Sequence, residues 1–325
     1  MSSPPDTLTT VVVDWNLPDH TIRCIESLVA DGVPASRIVV VENAATDETW
    51  SRIAAELSGC VLVRIDVNVG FAKANNIGAG MLPGQSYLLV NNDVFVHRAG
   101  SVAALLKALE QRGVGVVVPR LLNTDLTLQP SVAPFTTPVP ALVRASGLSR
   151  FVPDRWQPRL STHWSHASSR EVEAAIGPVM LVDGRVWERL GGLRETSFMY
   201  AEDLDLCWRA RKEGSRTWFS SESEFVHLGG ASSDLRWGTR ERTRRIGRAE
   251  AAMMREHLPP AKAAAALAFM RLGMAARVVY FSLVRNATAS ASCRGFLEGL
   301  GQAPGEDQAG KLLSPPVIEV VRPRG

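Results

Sequence analysis

A chain of 325 residues, 46% hydrophobic and 21% charged, has the material for one large α/β domain with an appendage, or for two smaller domains. The formal net charge of +3 is too small to give a nucleic-acid footprint, so no nucleic-acid partner is expected. Cys24, Cys60, Cys207 and Cys293 form no CxxC pair, which argues against a zinc site and for free thiols in a reducing compartment. Residues 1–10 lack the basic and apolar runs of a signal peptide, so a cytoplasmic location is expected.

Strand and helix signals alternate over the first third. Short β-branched or apolar runs at 10–13, 38–41, 61–65 and 87–90 read as strands. Apolar residues at helical spacing mark 19–30 (Ile22, Ile25, Leu28, Val29) and 47–57 (Trp50, Ile53, Ala54, Leu57), and 73–81 reads as a short helix. This alternation predicts a mostly parallel sheet covered by helices. Such sheets bind ligands at the carboxyl ends of their strands. Asp14, Asn16, Glu42, Asn43, Asn68 and the run Asn91-Asn92-Asp93 all fall there.

A helix at 101–112 and a strand at 114–118 follow. Residues 123–170 are rich in proline, serine and threonine without clean periodicity and read as a long functional loop. Trp156, His163, Trp164 and His166 within it are candidates to stack on the rings of a ligand. Order returns at Val172, with helices at 183–190 and 202–213 and short strands at 217–219 and 224–226. Beyond Arg240 the chain reads as helical, first basic and then apolar over 261–284. That segment fits either an amphipathic helix lying on a membrane or a helix packed on the protein or on a second subunit. The tail from Gly301 reads as loosely ordered.

Four clusters carry chemistry. Glu42 and Asn43 offer a carboxylate and an amide to a pyrimidine ring. In the stretch 68–76, Asn68, Gly70, Phe71, Lys73 and Asn75 stand where a glycine lets the backbone approach a ligand and a helix N-terminus faces phosphate. No GxGxxG fingerprint is present. The strand at 87–90 runs into Asn91-Asn92-Asp93, a hard-oxygen ligand suited to Mg²⁺ or Mn²⁺. Glu202, Asp203 and Asp205 crowd one helix start, beyond what capping needs, and mutual repulsion suits one of them to act as a base. Successive helical residues lie about 100° apart, so the three cannot share one direction. His227 adds a second candidate metal ligand.

Taken in order, Val11-Val12-Val13-Asp14-Trp15-Asn16, Val41-Glu42-Asn43, Asn68-Val69-Gly70-Phe71, Asn91-Asn92-Asp93, Gly191-Gly192 before Phe198-Met199-Tyr200-Ala201-Glu202-Asp203, and His227 resemble the family 2 glycosyltransferases, specifically their rhamnosyltransferase-like branch, over residues 8–235. The resemblance implies a GT-A fold, a nucleotide-diphospho-sugar donor, a divalent metal and inversion at the anomeric carbon. It puts the nucleobase at Glu42 and Asn43, the metal at Asp93 with His227 nearby, and the catalytic base at Asp203 beside Glu202. Glu42 stands where the family commonly has aspartate, and Asn91-Asn92-Asp93 keeps one carboxylate of its DxD motif. The expected organisation is a nucleotide-sugar-binding half (1–120), an acceptor and catalytic half (121–239) and a C-terminal helical extension (240–325). The acceptor is expected to be a saccharide, a lipid-linked molecule or a small molecule. The rival readings are a nucleotidyltransferase, a nicotinamide oxidoreductase and a non-catalytic nucleotide-sugar-binding module.

Overall fold

A computed structural model describes residues 7–44, 46–153, 155–160, 162, 164–195, 201–229, 238–302 and 315–323. The first third forms β1 (Leu8–Asp14), α1 (Pro18–Ala30), β2 (Ile38–Asn43), α2 (Asp47–Glu56), β3 (Val61–Ile65), α3 (Phe71–Met81) and β4 (Ser86–Asn91). Strands β3, β2, β1 and β4 lie side by side and parallel, with Val11 level with Val39 and Leu89. Every residue of β2 is buried, as expected of a strand covered on both faces. Alternate residues feed separate cores. Val11, Val41 and Leu89 pack under α3, while Val12, Val40 and Leu88 pack with Ile22, Ile25 and Leu28 of α1. Thr46 caps α2 by accepting from the Thr49 amide, with Asp47 and Glu48 in the first turn.

The sheet continues with β5 (Val94–Val96), β6 (Val114–Leu122), β11 (Val179–Asp183) and β12 (Arg216–His227); α4 (Ser101–Leu109) packs beside β6 and β12. Strand order is β4–β11–β6–β12–β5. β11 runs antiparallel to β4 and β6. Its five residues follow Gly177-Pro178 and the first four are buried, so no alternation betrays it in the sequence. The two short strands expected at 217–219 and 224–226 are one strand, irregular between Ser220 and Glu224.

Residues 123–170 are more ordered than their composition implies. They include β7 (Leu128–Gln129), β8 (Val132–Ala133), α5 (Pro138–Ser146) and α6 (Gln157–Leu160), and lead into β9 (Arg170–Val172) and β10 (Ala174–Ala175). Pro138 sits at the start of α5, where a missing N–H costs nothing, and Gly147 ends it at φ +74°. The prolines therefore begin a helix here. α7 (Gly184–Leu190) is capped by Asp183, and α8 (Glu202–Lys212) carries the acidic cluster. The tail is also corrected: β13 (Ile318–Val321) adds antiparallel to the edge of β3.

Among the described residues beyond 238, three helices precede β13: α9 (Thr239–His257), α10 (Pro260–Leu283) and α11 (Ala287–Gly301). With Ala141 of α5 they form a third core around Met254, Leu267, Met270 and Phe296. The arginines of α9 are largely paired: Arg244 and Arg245 with Glu241, Arg240 with Glu298. α10 is long and apolar enough to cross a membrane by composition, but Ala263, Ala266, Leu267, Met270, Gly273 and Met274 are buried against the protein. Its other face is exposed at Leu272, Val279 and Leu283.

α9 and α11 touch backbone to backbone through glycines. A Cβ on Gly299 would lie 2.0 Å from the carbonyl oxygen of Arg244, and one on Gly295 would lie 2.1 Å from that of Arg240. Main chain cannot yield as a flexible side chain can. Gly299→Ala should therefore destabilise the protein by about 1–3 kcal/mol despite alanine's better helix propensity. Urea denaturation checks this; an unchanged or raised midpoint would refute the close-packed helix pair.

Candidate functional site

The carboxyl ends of β1, β2 and β4 open into a cavity of about 790 Å³ that α8 and the C-terminal helices close from the opposite side. Asn43, Asn68, Phe71, Asn92, Asp93 and His227 stand on its wall, and so do Glu202 and Asp203. Residues separated by as much as 184 positions of sequence, Asn43 and His227, thus meet in one space. Trp15 also lines it.

The remaining donor candidates lie behind the wall. Asp14 is fully buried and accepts hydrogen bonds from the Leu17 amide (3.2 Å), the Thr21 hydroxyl (2.7 Å) and the Asn92 amide group (2.5 Å). Asn16, at φ +57°, accepts from the Thr46 amide and donates to the Ala44 carbonyl, tying the loop after β1 to the loop after β2. Glu42 does not reach the cavity wall. It is fully buried in register with Asp14. Burial, with the charge and hydrogen bond of Asp14, pushes its pKa up to about 10, so it keeps its proton at neutral pH. Gly70, at φ +87°, starts α3, with the Asn68 side chain accepting from its amide. Asn75 is buried and bonds the Phe71 carbonyl, and Lys73 is half-buried off the cavity wall.

Asp93 follows β4, and the antiparallel pairing of β5 with β12 sets His227 level with Val94. His227 Nε2 lies 3.4 Å from Asp93 Oδ1. On the other side of the ring, Nδ1 lies 2.7 Å from Gln129 Oε1. The Gln129 amide nitrogen already donates to Asn123 and to the His227 carbonyl, so Oε1 is an acceptor and Nδ1 must carry a proton. In neutral histidine the Nε2 lone pair then faces a carboxyl oxygen. Two acceptors face to face call for a cation or a proton between them, and a second-layer group fixing the ring in this way is characteristic of metal-ligating histidine. Gln129 falls in the stretch whose sequence showed no periodicity and gave no sign of this role.

Asp203 is held on both oxygens: Oδ2 accepts from the Gly177 amide and Oδ1 from the Leu204 amide, each at 2.7 Å. Burial raises its pKa against the lowering pull of these amides. Ala201, just before α8, adopts φ +71°, a strained conformation for a residue with a Cβ. Asp205 points elsewhere. It accepts from Arg209 Nε (2.6 Å) and His257 Nε2 (2.7 Å) and so ties α8 to α9. Burial pushes Asp205 up, but the His257 hydrogen bond and the Arg209 charge outweigh it, and the carboxyl titrates below its usual range.

The aromatic candidates for sugar stacking are not at the cavity. Trp164 and His166 are buried, packed on each other and on Phe219, and Trp156 is exposed on the outer surface. His163, Phe198, Met199 and Tyr200 lie outside the described residues.

Residues 11–133 match the family model described as glycosyl transferase family 2. Those residues carry a family 2 glycosyltransferase domain. A low-salt glycan biosynthesis hexosyltransferase of Haloferax volcanii is 27% identical over 150 residues, which cover 45% of this chain and 44% of that protein. The match therefore spans less than half of that relative's length. An N-acetylglucosaminyl-diphospho-decaprenol L-rhamnosyltransferase of Mycobacterium tuberculosis is 27% identical over 238 residues, 68% of this chain and 76% of that one. Among solved structures, a mannosyltransferase from Pyrobaculum calidifontis in complex with GDP-mannose and Mn²⁺ superposes with a TM-score of 0.58 at 15% identity, covering 92% of this chain and 88% of that one. GalNAc-T7 with UDP, GalNAc and Mn²⁺ gives 0.50 at 14% identity, over 68% and 43%. The chain has the GT-A fold, a mixed sheet whose core strands are mostly parallel, flanked by helices and with helices added at its C-terminal side.

The ion pairs of Asp205 predict a structural variant. Asp205→Asn should destabilise the protein by about 1.5–3 kcal/mol at neutral pH, the usual worth of hydrogen bonds to charged groups. A depressed carboxyl pKa contributes stability above the unfolded pKa and loses it as pH falls through the folded value. The gap between wild type and variant should therefore close below the ordinary carboxylate range, as thermal unfolding against pH will show.

Proposed function

We propose that the transferase domain moves a sugar, with inversion, from a nucleotide-diphospho-sugar to an acceptor hydroxyl. The observation that carries this reading is the meeting of Asp203, Glu202, Asp93 and His227 on one cavity whose other wall bears Asn43 and Asn68. Asp203 is fixed by two amides and made more basic by burial, so it takes the proton from the acceptor hydroxyl as that oxygen attacks the anomeric carbon. Glu202 stands beside it on the cavity wall.

Asp93 and His227 fit a divalent cation, Mg²⁺ or Mn²⁺: a hard oxygen and a ring nitrogen whose lone pair is aimed by Gln129. When bound, such an ion neutralises charge on the departing nucleoside diphosphate. The Mn²⁺ in the mannosyltransferase and GalNAc-T7 structures accords with this assignment. A pyrimidine nucleotide, UDP or dTDP, is favoured by the side-chain amides of Asn43 and Asn68. These are linked to each other at 3.1 Å where β2 and β3 end. Asp14, Asn16 and Glu42 act behind them by holding the loops, and Gly70 shapes the turn into α3.

The acceptor is a hydroxyl on a saccharide, a lipid-linked saccharide or a small molecule. The name of the mycobacterial relative puts its acceptor sugar on diphospho-decaprenol, which favours a lipid-linked acceptor here. The exposed apolar side of α10 would then rest against the inner face of a membrane, in keeping with a cytoplasmic enzyme whose four thiols are free.

Asp203→Asn keeps the shape and removes the basicity. Turnover should fall by about 10²–10⁴-fold while nucleotide and metal affinity stay near wild type. Because the folded pKa is raised, wild-type turnover should decline on the acid side at a pH above the ordinary carboxylate range. Wild-type turnover in this variant, with the acceptor supplied, would overturn the assignment of the base.

Asp93→Ala should abolish Mn²⁺-dependent UDP binding measured by calorimetry. Full donor turnover by the wild type in excess EDTA would refute the metal assignment. GDP binding more tightly than either UDP or dTDP would refute the pyrimidine preference.

A further inference from the structure

The cavity extends past Asp203 into a region walled by α5, α9, α10 and α11, and the transfer chemistry does not account for the charges there. Arg144 of α5 and Arg277 of α10 both line it. A guanidinium nitrogen of Arg277 donates to the Arg144 carbonyl, which places the two cations on the same stretch of wall. Their repulsion adds to burial in lowering the pKa of Arg277. Glu250, itself buried, accepts from Arg144 at 2.9 Å and from the Thr136 hydroxyl at 2.7 Å, so this carboxylate is committed to Arg144. Glu250 thus answers Arg144, while the Arg277 guanidinium is held by a main-chain carbonyl. α10 carries Lys262, Arg271 and Arg277 and no acidic residue, so this helix itself adds nothing that repels an approaching anion.

The surface around the arginines is apolar, formed by Pro140, Ile246, Met274 and Phe296. Leu160 lies at the rim of the cavity and also in a shallow surface groove with Leu148, Phe151 and Trp156. Those three side chains are 58%, 69% and 46% exposed, an unusual commitment of large apolar groups to solvent. Arginine pairs suit phosphate because the guanidinium donates in a planar fork, and an apolar lining suits a hydrocarbon chain.

We propose that Arg144 and Arg277 bind the phosphate or diphosphate of an amphiphilic acceptor, whose apolar chain leaves past Leu160 along the groove formed by Leu148, Phe151 and Trp156. This deepens the transferase reading and rests on it for the word acceptor; the anion subsite itself stands on Arg144 and Arg277 alone. The sugar of such an acceptor would extend from the arginines toward Asp203, and the phosphate sets which acceptors are retained.

The test uses the full chain in EDTA, so that no metal contributes, and calorimetric titration with three probes: octyl phosphate below its micelle concentration, octyl glucoside and inorganic phosphate. Octyl phosphate should bind best. Arg277→Gln should weaken it about 10–100-fold, the loss of a charge-assisted hydrogen bond or two. Arg277→Lys should recover part of the loss, since it restores the charge without the fork. Arg277 is bonded to a main-chain carbonyl rather than to a carboxylate, so its removal leaves no buried charge; a wild-type circular dichroism spectrum and melting temperature serve as the check that the variant is folded. Should Arg277→Gln fail that check, Arg144→Lys replaces it, with the same expectation of weaker octyl phosphate binding. Octyl glucoside binding as tightly as octyl phosphate, or wild-type binding in a folded Arg277→Gln, overturns the subsite. Inorganic phosphate binding as tightly as octyl phosphate overturns the apolar exit. If wild type binds octyl phosphate through Arg277 but does not bind UDP with Mn²⁺, the transferase reading fails and the anion subsite survives.

Discussion

The site depends on the buried carboxyl of Asp14. Its oxygens gather the start of α1 through Leu17 and Thr21 and the turn after β4 through Asn92. That turn is where Asp93 stands. A polar group buried without partners costs several kcal/mol, so Asp14 holds its donors as firmly as they hold it. Glu42 beside it stays protonated, which keeps two adjacent carboxyls from charging together. The strand ends are thus fixed from behind, and the cavity wall inherits their geometry. Several residues that look on paper like donor ligands work in this hidden layer.

The same logic applies on the other side of the cavity. Asp203 is aimed by a glycine amide from the turn before β11 and by the first amides of its own helix. A Cβ on Gly177 would sit 3.2 Å from the Asp203 Cβ, tighter than ordinary contact, so a glycine there leaves the carboxyl room to approach the amide. Asp205, two residues on, faces away and is clamped by Arg209 and His257. One acidic cluster therefore divides between chemistry and architecture, as the helical spacing of its members requires.

The parallel half of the sheet was legible because each strand is a short apolar run followed by a helix with clear periodicity. β1 to β4 and α1 to α3 follow from that pattern, and so does the position of the ligand edge. β11 went unread because its apolar run Val179–Val182, as short as those of the parallel strands, follows a stretch without periodicity rather than a helix of clear period. The segment 123–170 was misread because prolines at helix starts look the same as prolines in loops. For the site, the sequence marked Asn43, Asn68, Phe71, Asn92, Asp93, Glu202, Asp203 and His227, all of which line the cavity. It did not separate these from Asp14, Asn16 and Glu42, since a strand-end carboxyl reads alike whether it points into a cavity or back into the protein. Gln129 and Gly177 were invisible because their roles arise only from contacts distant in sequence, Gln129 with His227 and Gly177 with Asp203.

The C-terminal helices show why a boundary drawn from composition alone understates a region's part in function. α9 binds α8 through His257, whose ring also stacks on Trp208 at 5.0 Å. Their glycines bring α9 and α11 to backbone contact, and the resulting rigid layer carries Glu250 and Phe296 to the cavity. α10 adds Met274 and Arg277 by packing its small-residue face on α5, where Gly273 meets Ala145. A helix that resembles a membrane span by composition is therefore half wall and half surface. Its arginines are the reason both are possible. In a spanning helix each would cost about 2.5–3.5 kcal/mol at the bilayer centre, whereas here Arg271 reaches the Leu300 carbonyl and Arg277 the Arg144 carbonyl at the margins of the packed face. One of those charges, Arg277, also lines the cavity.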